Sequence, residues 1–296
     1  MNLSKALGCM IASASGDSLG AAVEFMTRSM ILENHGNGVR ELMPYYGQPA
    51  GVITDDTQQA IAVGTGLIKA KKLGPINERI ISCVWAELKK WVLTQSDDTQ
   101  NRAPGNNSLH ALSFDEPGTF ADPTTLANSC GSLMRVHPVG ILFAGNSQRA
   151  AEVGRIVSAL THGGEEAMAA CALQAKLISR VCSGDKLQTV IASLNTEEDP
   201  ELLKLPRTCQ ALATDLRVHE TYWQGWDADE ALAMSILVCR QHPDNLLNAL
   251  SEGVTQDGDS DSIGTIAGAL LGADLGIETV DPEWVEIIER RDELEH

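Results

Sequence analysis

The stretch Asp257-Gly258-Asp259-Ser260-Asp261-Ser262-Ile263-Gly264-Thr265-Ile266-Ala267-Gly268-Ala269-Leu270-Leu271 decides how this chain folds. Its apolar residues Ile263, Ile266, Ala267, Leu270 and Leu271 fall at i, i+3, i+4, i+7 and i+8, one face of a helix. Gly264, Gly268, Gly272 and Gly276 recur at every fourth position and leave a second face without side chains. A glycine weakens a helix by about 1 kcal/mol relative to alanine, so four in register predict another backbone packed against that face. The acidic residues then stand at the N-terminal mouth of a buried helix, where bare negative charge is costly. Two readings fit that mouth. Helix capping uses Ser, Thr or Asp, and the helix dipole favours an acid in the first turn. A hard-metal site for Mg²⁺ or Mn²⁺ uses the same carboxylate and hydroxyl oxygens.

A second mouth favours the metal. Gly51-Val52-Ile53-Thr54-Asp55-Asp56-Thr57 again crowds carboxylates and hydroxyls at the start of a helix, whose apolar face is Ala60, Ile61, Gly64, Leu67 and Ile68. Two further acids, Asp17 and Glu24, lie in the small-residue stretch Gly16–Phe25. Read locally, Asp17 is a turn or cap residue and Glu24 a paired surface acid; both are also candidates to join the two mouths. Pooled, so many carboxylates cannot share a buried site as bare ions. Two divalent cations about 4 Å apart would neutralise them, clamp substrate oxygens and activate a water. The chemistry is metal-assisted hydrolysis, with phosphate ester and glycosidic bond both open.

The remaining chain sets bounds. Its 296 residues, 43% hydrophobic, allow a sizeable core, expected as one domain over residues 1–296. A net charge of −18 argues against a binder of nucleic acid or of an acidic membrane. The seven cysteines are odd in number and scattered, as expected of reduced core residues, and the histidines form no zinc pattern. No cleavable leader or membrane-length apolar run is found, so the expected location is cytoplasmic. Helices are expected over 3–14, 77–93 (Ile80, Ile81, Val84, Trp85, Leu88, Trp91 and Val92 inward), 147–160, 165–183, 185–194, 199–216, 227–241 and 244–254. Asp227 with Glu230 fits a capping pattern. The segment from Phe25 through His35 to Pro49 and the segment Ser96–Asn107 are expected as loops, and a helical pattern resumes at Ser129–Pro138. No alternating strand is found, and the chain reads as all-α with about a dozen helices.

Several motifs, in order, resemble the ADP-ribosylglycohydrolases, the family of the dinitrogenase reductase-activating glycohydrolase. They are Gly16-Asp17-Ser18-Leu19-Gly20 with Val23-Glu24-Phe25, then Thr54-Asp55-Asp56-Thr57, then Arg102-Ala103-Pro104-Gly105-Asn106. Gly131 with Met134-Arg135-Val136 and Pro138 follows, then Thr161-His162-Gly163, Gly225-Trp226 with Glu230–Ala233, and Gly258-Asp259-Ser260-Asp261-Ser262. The resemblance implies a compact helical domain holding two Mg²⁺ or Mn²⁺ ions. One would be bound by Thr54, Asp55, Asp56 and Asp261, the other by Asp259, Asp261 and Ser262 with a shared residue of the first cluster. It implies Glu24, Asp56 and Asp261 as catalytic residues, Glu24 positioning substrate or water. Arg102, Gly105, Asn106, Gly131, Ser132, Met134 and Arg135 would shape the ribose and diphosphate pocket, with His162 beside it at a helix start rather than as a general base.

The implied substrate is ADP-ribose on a protein, with arginine as the expected linkage, or on a small molecule, cut at the C1″ bond. Such cleavage reverses a regulatory or toxin-imposed modification. An inactive member binding an ADP-ribosylated partner or a cognate ADP-ribosyltransferase, a crystallin-like member and a dinuclear phosphatase are the alternatives. Ser260 and Ser262 stand where the family usually has threonine, and Cys130 where many relatives have asparagine. Asp257 adds a charge near the mouth. Trp223 and Trp226 are expected in the core or an interface, Met134 as packing, and Cys130 not as a nucleophile.

Overall fold

The computed structural model describes residues 2–45, 47–76, 79–194 and 198–296. Among these the chain forms fifteen α-helices and no strand beyond two isolated bridges. They are α1 (Leu3–Ala21), α2 (Arg28–His35), α3 (Asp55–Lys72), α4 (Ile80–Thr94), α5 (Asn106–Ser113), α6 (His137–Leu142), α7 (Ser147–Ala159) and α8 (Glu165–Ser183). There follow α9 (Leu187–Ala192), α10 (Pro206–Ala213), α11 (Ala228–Gln241), α12 (Leu246–Val254), α13 (Ser260–Leu275), α14 (Pro282–Ile287) and α15 (Arg291–Leu294).

The centre of the molecule is the antiparallel pair α1 and α13. A Cβ on Gly16 would lie 2.1 Å from the Gly264 carbonyl oxygen, one on Gly268 2.2 Å from that of Ala12, and one on Gly272 2.3 Å from that of Gly8. No side chain fits such a gap, so the bare face of α13 is filled by the backbone of α1, which brings its own Gly8, Gly16 and Gly20. At the end of this seam a Cβ on Gly20 would lie 2.5 Å from the Asp261 nitrogen. The close approach therefore sets the C-terminal end of α1 directly against the mouth of α13. The other face of α13 is buried as well, against α11 and α12, and its apolar residues belong to one core cluster running from Cys9 to Leu294.

The start of α3 is held to the same place by α1. The Asp17 carboxylate, fully buried, accepts from the Thr54 and Thr57 backbone nitrogens at 3.1 and 3.2 Å and from Thr57 Oγ1 at 2.5 Å. Thr54 itself caps the helix, accepting from the Asp56 nitrogen at 3.2 Å. Two of the four orphan N–H groups at this helix start are thus satisfied from α1, a tie between helices rather than a local cap.

Several expectations are corrected. The segment expected as loop between Phe25 and His35 holds α2, capped by Thr27 and anchored by buried Ile31. Asp257 does not crowd the mouth; its carboxylate accepts from the Arg28 nitrogen at 2.6 Å, at the start of α2. Ile81 and Ile68, expected inward, are exposed. The helix expected over 77–93 is seen as α4; residues 77 and 78 lie outside the described set. The helix expected over 199–216 is a short 3₁₀ turn followed by α10, which Pro206 starts afresh. The pattern at Ser129–Pro138 is a 3₁₀ turn, Cys130–Ser132, ahead of α6. Asp227 makes no side-chain cap, and Glu230 instead accepts from the Gln224 nitrogen at 3.3 Å.

Candidate active site

Two helix starts and one helix end converge on a single mouth. Asp259 and Asp261 come from the start of α13, Asp55 and Asp56 from the start of α3, and Glu24 from the turn that leaves α1. One carboxylate oxygen each from Glu24, Asp259 and Asp261 lie within 4.8 Å of one another. Ser262 Oγ bridges the two starts by donating to Asp56 Oδ2 at 3.0 Å. Asp259 caps α13 through the Ser262 nitrogen at 3.3 Å and accepts from Cys130 Sγ at 2.8 Å. Capping and pooling of carboxylates therefore coexist in the same residues, and the four aspartates are all buried.

Burial and mutual repulsion shape the protonation of the mouth. Glu24 is pushed up to about 10, by burial first and then by Asp261 and Asp259. Asp17 rises to about 7, again by burial first and Asp261 second. Asp55 and Asp56 are driven well above the carboxylate range by burial first and then by Asp261 and Asp17, and Asp261 by burial and then by Asp259. So acidic an arrangement holds protons that a multivalent cation would displace. The donor set consists of hard oxygens, which suits Mg²⁺ or Mn²⁺ rather than a soft metal.

The residues expected at the pocket divide into two groups. Met134 faces the mouth, its sulfur 3.8 Å from Ser262 Oγ. Gly131 passes close to His162, since a Cβ there would lie 3.1 Å from Nε2. Gly105 and Asn106 are exposed at the start of α5, and the Gly105 backbone bonds to Asp55. The others turn away. Arg102 is buried and bonds back to the Thr99 and Asn101 carbonyls of its own loop. Ser132 Oγ pairs with Ser158 Oγ at 2.9 Å inside the core. Arg135 is fully buried behind the mouth, bonded to Gln59 and Thr161. His162 is buried and pushed down to about 3 by burial and by Arg135, so it is neutral and no base. The Cys130 thiol is pushed up by burial and Asp259, which disqualifies it as a nucleophile.

One residue, Gln59, lies beyond the motifs read from the sequence, and one contact, Phe25 with Trp226, joins two of those motifs. Gln59, one turn after Asp55 on α3, donates to Asp55 Oδ2 at 2.7 Å. A glutamine at i+4 from an acid on a buried face is the signal for it. Phe25 stacks on Trp226 with ring centroids 5.4 Å apart, both partly exposed beside Glu24. Phe25 has φ +66°, a costly conformation for a bulky residue, and its nitrogen donates to the Gly258 carbonyl at 3.1 Å. Trp226, 36% exposed, is not part of the core.

The fold is shared with a solved structure described as an "ADP-ribosylglycohydrolase-related protein complex", at a TM-score of 0.79 and 22% identity over 99% of this chain and 95% of that one. That likeness shows the helical frame; the class, a glycosidic-bond hydrolase, follows from the family match. The chain belongs to the ADP-ribosylglycohydrolase family, whose model matches residues 2–296. Among its relatives, the ADP-ribosyl-[dinitrogen reductase] glycohydrolase of Rhodospirillum rubrum is 24% identical, covering 98% of this chain and 92% of that protein. The ADP-ribosylarginine hydrolase Tri1 of Pseudomonas putida is 26% identical, covering 96% and 74%. No helix among the described residues is long and apolar enough to cross a membrane.

Proposed function

We propose that this protein removes ADP-ribose from arginine residues of a modified protein by hydrolysing the N-glycosidic C1″ bond, with two Mg²⁺ or Mn²⁺ ions at the mouth. The observation that carries the reading is the convergence of Glu24, Asp55, Asp56, Asp259 and Asp261 from three helix ends onto one buried mouth. The family and the arginine and dinitrogen-reductase specificities named for its relatives support the substrate.

Thr54, Asp55, Asp56 and Asp261 would hold one ion, and Asp259, Asp261 and Ser262 the other. Bound there, the ions supply Lewis-acid polarisation of the sugar and an activated water. The protein's own residues do the rest. Asp17 holds the start of α3 in place and keeps Asp55 and Asp56 aimed across at α13. Ser262 ties Asp56 to the opposite wall. Glu24, half-buried at the lip, positions the sugar or the attacking water and holds a proton at its carboxyl. Gly105, Asn106, Gly131 and Met134 line the approach.

The test is direct. Pure protein is incubated with Mn²⁺ or Mg²⁺ and either ADP-ribosyl-arginine or ADP-ribosyl-serine protein, and free ADP-ribose is measured. Metal-dependent release from the arginine substrate is expected. Release from the serine substrate alone would overturn the linkage, and release from neither would overturn the proposal that a modified protein of either linkage is the substrate.

A further inference from the structure

Arg135 is a fully buried cation whose two terminal nitrogens go to neutral oxygens and not to a carboxylate. Nη1 donates to Gln59 Oε1, and Nη2 donates to Thr161 Oγ1 at 2.5 Å. Because a guanidinium only donates, the amide beyond it has a fixed sense. The Gln59 amide must turn its oxygen to Arg135 and its NH₂ to Asp55, where Nε2 meets Oδ2 at 2.7 Å. On the other side the Thr161 hydroxyl, which accepts from Arg135, is hydrogen-bonded to His162 Nδ1 at 2.8 Å. His162 Nε2 lies 3.1 Å from Ser129 Oγ, which accepts from Asn107 Nδ2 at 2.9 Å. Burial lowers Arg135 only to about 10, so the charge persists at neutral pH.

A cation this deep is costly to bury and needs a compensating role. The negative mouth lies one amide away. We propose that Arg135 is a positioning residue for the acidic mouth, acting through Gln59 to fix the Asp55 carboxylate for a divalent cation. It touches neither substrate nor the reacting atoms. The outer branch through Thr161, His162 and Ser129 anchors the guanidinium so that the fork cannot rotate. The inference rests on the metal reading of the mouth.

The test measures Mn²⁺ affinity by titration calorimetry, with the melting temperature of the metal-free protein as the measure of fold. Gln59→Met removes the link between Arg135 and Asp55. Gln59→Asn keeps an amide beside Arg135 but is one methylene too short to reach both partners, and Arg135→Lys keeps the charge without the fork. Mn²⁺ affinity is expected to fall about 10- to 100-fold in Gln59→Met, the usual cost of losing a group that orients a metal ligand, and less in the other two. A merely structural role would lower the melting temperature and leave affinity alone. Folded Gln59→Asn and Arg135→Lys proteins binding Mn²⁺ within twofold of the parent would overturn the proposal, whether or not Gln59→Met folds. Absence of Mn²⁺ binding by the parent would overturn the metal reading itself, an outcome distinct from failure of the relay.

Discussion

Asp261 illustrates how one side chain can be both the liability and the purpose of a site. It contributes to raising the pKa of Glu24, Asp17, Asp55 and Asp56, so its charge opposes folding in the absence of a counter-ion. Asp261→Asn is therefore expected to raise the melting temperature of the metal-free protein while abolishing Mn²⁺ binding and ADP-ribose release. Activity within tenfold of the parent would remove Asp261 from the site. Cys130 gives the opposite case. Its thiol serves Asp259 as a hydrogen-bond donor, and a serine hydroxyl does the same with less bulk. Cys130→Ser should keep the release rate within about threefold, and a loss of several orders would mean that the sulfur takes part in the chemistry.

At the scale of elements, the glycine spacing of α13 is enough to demand a close partner, because bare faces recur only where another backbone must fit. What the spacing leaves open is which helix fills the gap; Gly8, Gly16 and Gly20 on α1 are complementary, but complementarity is a property of the pair. The acidic mouths are legible in the sequence for a similar reason, since charge at a buried helix start needs an explanation. Arg102, Ser132 and Arg135 are not, because a motif fixes which residues are present and leaves open which way their side chains turn. Here each finds partners inside the protein. The seam yields a paired prediction. Gly264→Ala places a methyl 2.4 Å from the Gly16 carbonyl oxygen, so the helices must part, at a cost of about 1–3 kcal/mol or more, and activity should fall with the displaced mouth. Gly64→Ala on α3 meets only Pro138, at 3.7 Å, and should stabilise by up to about 1 kcal/mol through helix propensity. Equal melting temperatures in the two variants would refute the tight seam.

The molecule as a whole stores its charge problem at the junction of α1, α3 and α13, and its stability should report that through pH. Asp17, at about 7, and Glu24, at about 10, hold protons in the folded state that the unfolded chain has already released above pH 4. Groups raised in this way contribute stability fully below about pH 4 and lose it as pH climbs through their folded values. Surface acids such as Glu87 and Glu165, lowered by lysine and arginine partners, act in the opposite sense and lose their smaller contribution as pH falls through their folded values. The metal-free protein should accordingly melt highest near pH 5 and several degrees lower at pH 8. Mn²⁺ competes with protons for the same oxygens, so it should raise the melting temperature strongly at pH 8 and weakly at pH 5, with a chelator reversing the gain. At a hundredfold excess over its dissociation constant the expected stabilisation is about 2.7 kcal/mol. Scanning calorimetry at the two pH values, with and without Mn²⁺, checks both signs together. A metal-free protein more stable at pH 8 than at pH 5, unmoved by Mn²⁺, would mean that the carboxylates are neutralised by something other than a cation.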